Sequence, residues 1–282
     1  MMPSLESSLR GKRVNALADM VIVTDRLDYS AIDQVFPLFA EQQFFIDELV
    51  PERVQGAEAL EVGVGSGVLS IAVARAGARH VTALEINPRA RNFAGFNFVT
   101  NGVEDRVSVV DGCAEVFRPV AQRRFDFVFS NPPFEPTPPG MTYFHHSAAG
   151  PYGLDFLDRM LAGLGEHLTA TGSAQIVTAA PGDAGGPTLF VDLVRRRLPG
   201  TSRIAVNPVA MTFDEILDRL AAKQMGPTSL VDDLRGRARA DGVTHMHLCV
   251  LHYTAGAHEV RVEPSARTYA DFWDRPADEA TL

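Results

Sequence analysis

The segment ALEVGVGSGVLSIAVARA, residues 59–76, decides the fold of this 282-residue chain. Residues 59–64 are short and apolar, as a buried strand is, and residues 67–76 have the composition of a helix. The turn between them contains three glycines, Gly63, Gly65 and Gly67. Glycines at the junction of a strand and a helix let the backbone turn tightly and approach a ligand. The segment therefore predicts a strand, a ligand-binding turn and a helix.

The alternation of strand and helix continues beyond this segment. Strands that alternate with helices are usually parallel and joined by right-handed crossovers. We therefore expect an α/β fold with a Rossmann-like, doubly wound and mostly parallel sheet. A turn before residues 259–262 predicts a C-terminal antiparallel hairpin with residues 245–253. The other predicted strands are residues 81–85, 107–110, 125–130, 174–178 and 203–206, and the predicted helices are residues 89–100, 154–168, 188–198, 214–223 and 229–238.

The chain divides into three parts. Residues 1–55 form an N-terminal extension, in which apolar residues recur at helical spacing over residues 32–49. This spacing predicts a helical cover, preceded by a short strand within residues 14–23 and by a loose start over the first dozen residues. Residues 56–265 hold the alternating unit, and residues 266–282 form a C-terminal tail.

Composition limits the partners. The formal net charge is −9, and Lys12 and Lys223 are the two lysines of the sequence. Proteins that bind nucleic-acid phosphates need clustered basic residues, so the composition argues against nucleic acid as the substrate. The sequence has neither an apolar run of membrane-spanning length nor a signal peptide, so we expect a cytoplasmic protein without a membrane partner. Cys113 and Cys249 fit neither a disulfide framework nor a zinc site, so we expect reduced thiols and no metal.

Carboxylates stand at the ends of the first three strands of the alternating unit. The third glycine of the turn comes two residues after the second, whereas the dinucleotide fingerprint requires three. Glu61 in the first strand would repel a pyrophosphate but attract an ammonium group. Glu85 can accept hydrogen bonds from both hydroxyls of a ribose, and Asp111, followed by Gly112, can accept one from the amino group of adenine. The predicted cofactor is therefore S-adenosyl-L-methionine rather than a nicotinamide dinucleotide.

A proline-rich loop, Asn131-Pro132-Pro133-Phe134, follows the predicted strand 125–130. Two prolines cannot continue a strand or enter a helix, so the backbone leaves the sheet as a stiff loop. The side-chain carbonyl of Asn131 and the main-chain carbonyl of Pro132 can then face one point in space. That point suits a planar nitrogen that carries hydrogens.

The glycine turn and the proline-rich loop together resemble the class I S-adenosylmethionine-dependent methyltransferases, in the branch with an Asn-Pro-Pro-aromatic motif. The resemblance covers residues 36–180 and is greatest to the release-factor glutamine methyltransferases and their small-domain relatives. It implies that Asn131, Pro132 and Phe134 are catalytic, that Asn131 also lies at the cofactor, and that S-adenosyl-L-homocysteine is the product. The chain departs from the release-factor enzymes because Phe134 stands where they usually have tyrosine. The ribosomal RNA guanine methyltransferases that have phenylalanine there usually follow it with histidine, whereas Glu135-Pro136 follows Phe134.

The irregular segment 136–152 is long for a connection in a compact domain. Its aromatic and histidine side chains predict a wall of the substrate pocket. Glu135 could collect a proton or bind a cationic substrate, and a histidine could accept the proton. The predicted substrate-binding residues are Pro133, Glu135, Tyr143, His145, His146 and Tyr152.

The sequence favours methyl transfer to a planar amide, guanidino or amino nitrogen of a small molecule, such as an amino-acid-derived metabolite. A protein glutamine is the second interpretation, and a base of ribosomal RNA or DNA is the third. Two other classes stay open. The glycine spacing argues against a NAD-dependent oxidoreductase, and the intact loop 131–134 argues against a catalytically silent cofactor-binding subunit. The sequence does not indicate an oligomeric state.

Overall fold

A mixed sheet lies at the centre of the structure, a computed structural model that describes residues 11–270. In chain order the strands are β1 (Lys12–Leu17), β2 (Met20–Asp25), β3 (Glu58–Val62), β4 (His80–Glu85), β5 (Val107–Asp111), β6 (Phe125–Ser130), β7 (Leu168–Gly182), β8 (Thr201–Thr212), β9 (His245–Thr254) and β10 (Glu259–Pro264). The helices are α1 (Ala40–Asp47), α2 (Pro51–Val54), α3 (Val68–Arg75), α4 (Pro88–Thr100), α5 (Asp155–Leu164), α6 (Thr188–Arg197), α7 (Phe213–Ala222) and α8 (Thr228–Ala240). Short 3-10 helices cover Arg118–Val120 and Gly165–His167.

Within the described residues, β3 to β10 form an eight-stranded sheet in the order β10-β8-β9-β7-β6-β3-β4-β5. The pairs β3–β4, β4–β5, β3–β6 and β6–β7 are parallel, whereas β9 is antiparallel to β7 and β8. The chain order reverses at β3, so a crevice opens there at the carboxyl ends of the strands. The expected α/β fold with a doubly wound, mostly parallel sheet is confirmed.

The last strand pairs differently from the expectation. β10 is parallel to β8, with Glu259 opposite Thr201 and Pro264 opposite Val206. Both edges of β9 are already occupied by β7 and β8. Residues 259–264 therefore join the remaining edge of β8 to satisfy their backbone groups. The prediction that residues 259–262 form a hairpin with residues 245–253 is wrong, and the antiparallel part of the sheet is β7–β9–β8.

The central strands are buried on both faces, as their apolar runs predict. Side chains alternate along a strand. Phe127 and Phe129 of β6 therefore point into one apolar layer, and Val128 points into the other. Side chains of α1, α3, α4, α7 and α8 complete the first layer, and those of α5 and α6 complete the second. These layers fix the carboxyl ends of β3, β4 and β6, where the crevice lies.

The N-terminal part departs from the expected cover. Residues 14–23 belong to a hairpin of β1 and β2 instead of one strand, because the chain reverses in a two-residue turn. The helix expected over residues 32–49 begins only at Ala40. Pro37 disfavours the helical conformation in the residue before it, so the helix cannot extend upstream. Phe44 and Phe45 of α1 lie in the same core as the sheet.

Some expectations fall on the ends of the chain. The loose start falls mainly on residues 1–10, and much of the expected tail falls on residues 271–282, all of which lie outside the described residues. The boundaries at residues 55 and 265 stay predictions. Within residues 11–270 no helix combines the length and the apolar character that a membrane span requires. In the same part of the chain, no group of three or more His, Cys, Asp or Glu side chains could hold a metal ion.

Candidate functional site

A cavity of about 430 Å³ lies at the carboxyl ends of β3, β4 and β6. The crevice of a doubly wound sheet is where such folds bind ligands. Most of the residues singled out in the sequence line this cavity: Glu61, Gly63, Gly65, Glu85, Gly112, Asn131, Pro132, Pro133, Phe134, Glu135, His145 and His146.

The glycine turn between β3 and α3 is open on its cavity side. Gly63 and Gly65 have φ angles of 78° and 52°, which favour glycine. In the described part of the chain, apart from the adjacent residues, no atom lies within 4 Å of the position that a Cβ would take on either residue. The N–H of Gly65 donates a hydrogen bond to Oε2 of Glu85 at 2.9 Å. The turn thus leaves space for a ligand that approaches the backbone closely.

Gly67 has a different role. Its φ is 86°, and a Cβ there would lie 2.6 Å from the ring of Phe98 and 3.3 Å from the Cβ of Ala94, both on α4. Gly67 lets α3 and α4 pack closely, and it is not among the residues that line the cavity. Its predicted contact with the cofactor has no support from this placement.

Glu61 is a fully buried acid on β3. Its side chain accepts a hydrogen bond from the Ser70 hydroxyl, and the residue is 1% exposed. Burial, with the neighbouring charge of Glu85, raises the pKa of Glu61 well above its usual value. A buried carboxylate at the edge of a cavity favours a cationic ligand, which would stabilise its ionised form.

Glu85 ends β4 and is oriented by backbone donors. Its two carboxylate oxygens accept hydrogen bonds from the N–H groups of Gly65, at 2.9 Å, and Asn87, at 2.8 Å. Burial raises its pKa above the usual value, although these hydrogen bonds oppose the shift. The fixed carboxylate still has acceptor capacity for ligand hydroxyls.

Asp111 ends β5 but faces away from the cavity. Its side chain is 81% exposed and forms an ion pair with Arg91 at 3.2 Å. Gly112 and Cys113 line the cavity instead. A Cβ on Gly112 would lie 2.9 Å from the backbone of Glu85, so a larger residue cannot stand there. The structure therefore does not support the predicted contact of Asp111 with adenine, because the Asp111 side chain is drawn towards α4.

Asn131 follows β6 and has a buried, unsatisfied acceptor. The Ser130 hydroxyl donates to the Val62 carbonyl at 2.6 Å, which ties the end of β6 to β3. Asn131 then lines the cavity. Its Oδ1 atom is buried and has no hydrogen-bond partner among residues 11–270. Since an unpaired buried acceptor costs about 1–3 kcal/mol, the position favours a ligand that brings an N–H donor.

Glu135 lies in a hydrogen-bonded cluster beside this acceptor. Its Oε1 accepts from the Ser147 hydroxyl at 2.9 Å. Its Oε2 accepts from Nζ of Lys223 at 2.7 Å and from the hydroxyl of Tyr143. Tyr143 therefore lies behind Glu135 and holds it, whereas the prediction placed Tyr143 at the wall of the pocket. The oxygens of Glu135 are thus occupied by Ser147, Lys223 and Tyr143.

The two adjacent histidines both line the cavity. The ring of His146 stacks on Phe36 with the centroids 4.6 Å apart. Its ring nitrogens lie 3.2 Å from Oε1 of Gln34 and 2.8 Å from the Ser147 hydroxyl. His146 is thus oriented as part of an aromatic wall.

Tyr152 lies away from the cavity. Its hydroxyl donates a hydrogen bond to Asp241, and its ring packs on Phe213 of α7. Partial burial and the Asp241 carboxylate raise the pKa of Tyr152 to about 12. The predicted contact of Tyr152 with the substrate has no support, because Asp241 and Phe213 hold its side chain outside the cavity.

Sequence reasoning missed part of the cavity wall. Phe36 and Glu41 come from the irregular N-terminal segment and the start of α1, where no spacing pattern marks a ligand site. The Phe36-Pro37 pair is the available signal, since proline disfavours the helical conformation in the residue before it and so keeps Phe36 in an extended segment. Further residues of the wall that the sequence did not indicate are Gln34, Phe156 and Arg159.

The site fits a ligand with an ammonium group, a ribose and an apolar ring. Glu61 offers a buried carboxylate, Glu85 offers oriented acceptors, and the small residues Gly112 to Ala114 leave room for a ring. Asn131 adds an unsatisfied acceptor for a second ligand at the same cavity. The arrangement has two carboxylates near the glycine turn, which disfavours a pyrophosphate there.

Comparison with known proteins gives a family match. The family model of the methyltransferase small domain matches residues 41–184, half of the chain. The release factor glutamine methyltransferase of Geobacter sulfurreducens is 29% identical over 156 residues, which are 52% of this chain and 54% of the relative. The tRNA1(Val) (adenine(37)-N6)-methyltransferase of Shewanella amazonensis is 31% identical over 131 residues, 44% of this chain and 54% of the relative. The chain spans about half the length of these curated relatives.

Among solved structures, the SAM-dependent methyltransferase from Agrobacterium tumefaciens is similar with a TM-score of 0.55 and 17% identity. The match covers 86% of this chain and 70% of that chain. At this identity the likeness concerns the fold.

Proposed function

The chain belongs to the methyltransferase small domain family, and from this membership we propose that it transfers a methyl group to the side-chain amide nitrogen of a protein glutamine. The family resemblance seen in the sequence, with S-adenosylmethionine as the cofactor, is confirmed by the family match. The acceptor is the part of the function that the proposal adds.

The observation that carries the proposal is the buried Oδ1 of Asn131, which has no hydrogen-bond partner among residues 11–270. An amide nitrogen carries hydrogens that can satisfy this atom, whereas an ionised carboxylate oxygen or a carbon acceptor carries no such donor. The lone pair of an amide nitrogen is delocalised into the carbonyl group. Hydrogen bonds from the N–H groups of the amide to protein oxygens return electron density to the nitrogen. Asn131 therefore supports a planar nitrogen as the acceptor.

The residues of the cavity bind and orient both reactants. Glu61 attracts the ammonium group of the cofactor, and Glu85 accepts from its hydroxyls. S-adenosylmethionine, when bound, supplies a methyl group on a positively charged sulfur. Transfer of this methyl group would form the new N–C bond as the S–C bond breaks, and the amide nitrogen would release its proton to water. Alignment of the reactants in this way can lower the activation free energy by roughly 7–11 kcal/mol. The site therefore needs no strong base.

The names of the relatives and the net charge of the chain bear on the acceptor. The relative from Geobacter sulfurreducens is named for glutamine in a release factor, which supports a protein amide. No relative reported above is named for a small molecule, so the metabolite acceptor favoured from the sequence has no support from them. The relative from Shewanella amazonensis is named for an adenine of tRNA, which weakens the prediction against nucleic acid, although the net charge of −9 still opposes it.

The test is a comparison of acceptors with methyl-labelled S-adenosylmethionine. The acceptors are the peptide acetyl-Gly-Gln-Gly-amide, free glutamine, free arginine and unmodified tRNA. We expect label in the peptide, and acid hydrolysis of the product should release labelled methylamine. The peptide acetyl-Gly-Asn-Gly-amide, one methylene shorter, is the matched control. Label in free glutamine or arginine would show that the acceptor is a small molecule. Label in tRNA would show that the acceptor is a nucleobase. Either result would contradict the proposal.

A further inference from the structure

Lys223 connects the C-terminal part of the chain to the loop that follows the acceptor site. It directly follows α7 and lies outside the residues that the family model matches. Its Nζ donates to Oε2 of Glu135 at 2.7 Å, and the two side chains are 18% and 20% exposed. Such a partly buried pair is screened less by salt than a surface pair. The contact can therefore influence the position of Glu135.

Aromatic contacts fix Lys223 in this position. Its ammonium group lies 4.7 Å from the centre of the Tyr143 ring and 5.7 Å from that of Phe144. At these distances a cation is attracted by the ring face. The Tyr143 hydroxyl also donates to Glu135. Lys223 and Tyr143 thus hold the same carboxylate from two separate parts of the chain.

Glu135 also closes the loop through its backbone. Its N–H donates to the Ser147 carbonyl at 2.9 Å, and its carbonyl accepts from the N–H of Ala149 at 3.3 Å. Glu135 directly follows Phe134, and the two prolines before Phe134 make the connection stiff. A displacement of Glu135 is therefore transmitted to Phe134 and to the acceptor atoms before it.

We propose that Lys223 is a positioning residue for the methyl acceptor, because its ion pair with Glu135 fixes Phe134 and the main-chain carbonyl of Pro132 relative to the cofactor. The inference rests on the proposed function, since the acceptor is the nitrogen assigned there. It gives the C-terminal segment a role in catalysis. Glu135 then anchors the loop through its contacts with Lys223, Tyr143 and Ser147, and it does not collect the proton.

Three variants test the role of Lys223. K223M removes the charge and keeps most of the side chain, and K223R keeps the charge. R235M is the matched control, because Arg235 forms ion pairs with Asp214 at 2.8 Å and Asp218 at 2.6 Å and is 19% exposed. These pairs link α7 and α8 and do not include a residue of the cavity wall.

Kinetics with acetyl-Gly-Gln-Gly-amide should separate positioning from stability. K223M should lower kcat/KM for the peptide at least about tenfold, the loss expected for a charge-assisted hydrogen bond. Its affinity for S-adenosylhomocysteine should stay within about twofold of the wild type, and K223R should recover most of the activity. R235M should lower the melting temperature but leave kcat/KM nearly unchanged. An unchanged kcat/KM in K223M, or an equal fall in R235M, overturns the proposal.

Amide hydrogen exchange tests Lys223 without methyl transfer. In the protein bound to S-adenosylhomocysteine, residues 131–150 should exchange about fivefold faster or more in K223M, and at the wild-type rate in K223R and R235M. Y143F provides a second variant that keeps the ring and should show a smaller increase in the same residues. Unchanged exchange in both K223M and Y143F overturns the proposal. If the wild type methylates none of the acceptors, the proposed function is wrong. The exchange rates alone then show whether Lys223 holds residues 131–150 in place.

Discussion

Glu61 is the residue at which stability and function oppose each other most clearly. It is 1% exposed, and burial raises its pKa well above the usual value of 4.5. In the cofactor-free protein, ionisation of Glu61 therefore costs folding free energy, which the unfolded chain avoids. A bound ammonium group offsets this cost.

Replacing Glu61 with glutamine should stabilise the cofactor-free protein and weaken cofactor binding. The amide removes the buried charge, and its oxygen can still accept from the Ser70 hydroxyl. We expect the free energy of unfolding near pH 7 to rise, and the affinity for S-adenosylhomocysteine to fall roughly 10- to 100-fold through loss of a charged hydrogen bond. Urea denaturation and titration calorimetry measure the two effects.

Glu58→Gln is the matched control for this prediction. Glu58 lies on the same strand, but its side chain is 34% exposed and pairs with Arg79 on the surface. Loss of such a pair should change stability by about 0.5 kcal/mol or less and should not affect the cofactor. If E61Q bound S-adenosylhomocysteine as tightly as the wild type, Glu61 would not be a cofactor residue.

Cofactor affinity should rise with pH. The pKa values of Glu61 and Glu85 are both raised from 4.5 in the folded protein, mainly by burial. Between 4.5 and the raised pKa the folded protein keeps a proton that the unfolded chain has released, so the free energy of unfolding falls as pH rises through this window. The cofactor favours the ionised carboxylates, so its binding releases protons over the same window.

Calorimetry with S-adenosylhomocysteine between about pH 5 and pH 8 checks this linkage, in buffers of different ionisation enthalpy. Tighter binding and proton release are the expected results, and both should diminish in E61Q. A constant affinity would show that the two acids are already ionised in the cofactor-free protein, and an affinity that falls with rising pH would contradict the predicted proton release.

At the scale of elements, two glycines of the turn between β3 and α3 have different roles: Gly65 leaves space for a ligand, and Gly67 lets α3 and α4 pack closely. Gly65→Ala places a Cβ in open space, whereas Gly67→Ala places one 2.6 Å from the Phe98 ring. Both variants carry a strain of roughly 1–2 kcal/mol because φ is positive. Gly67→Ala should lose about 1–3 kcal/mol more through overpacking, while Gly65→Ala should mainly weaken cofactor binding. Equal losses of stability in denaturation would contradict this assignment.

The hairpin of β1 and β2 offers a test of backbone strain. Ala18 stands in its two-residue turn with a φ of 50°, a conformation that costs an L-residue roughly 1–2 kcal/mol. Ala18→Gly should therefore raise the free energy of unfolding by up to about 1 kcal/mol after the entropy cost of glycine. Ala16→Gly in the adjacent strand should lower it by about 0.5–1 kcal/mol. A destabilising effect of Ala18→Gly would place the strain elsewhere.

The elements themselves could be predicted from the sequence, because periodicity and turn residues act locally. The strand at 125–130 and the helix near 89–100 have the predicted bounds to within a residue. The pairing of β10 could not be predicted, since it depends on which strand edges are free after β7, β8 and β9 have paired. The apolar spacing over residues 32–49 predicts a longer helix than the structure contains, because this spacing takes no account of Pro37.

At the scale of the whole molecule, some residues of the site could be predicted from the local sequence and others could not. The position of Glu61, Glu85 and Asn131 in the cavity wall could be predicted, because each lies at or directly after the carboxyl end of a recognisable strand at the same edge of the sheet. Asp111 could not be placed, since an ion pair with Arg91 of α4 decides its direction. Lys223 is separated from Glu135 by 88 positions. No local pattern connects these two residues, and only the packing of α7 against the loop brings them together.

The central claim is that Asn131 holds an acceptor nitrogen beside the bound cofactor, and Asn131→Ala tests it most directly. Methyl transfer to acetyl-Gly-Gln-Gly-amide should fall about 100-fold or more, because the variant can no longer align the nitrogen. Binding of S-adenosylhomocysteine should stay within about threefold, and the free energy of unfolding should not fall, since a buried unpaired acceptor is removed. Asn101→Ala, at the end of α4 outside the cavity, is the control. Methyl transfer by N131A at the wild-type rate would contradict the account.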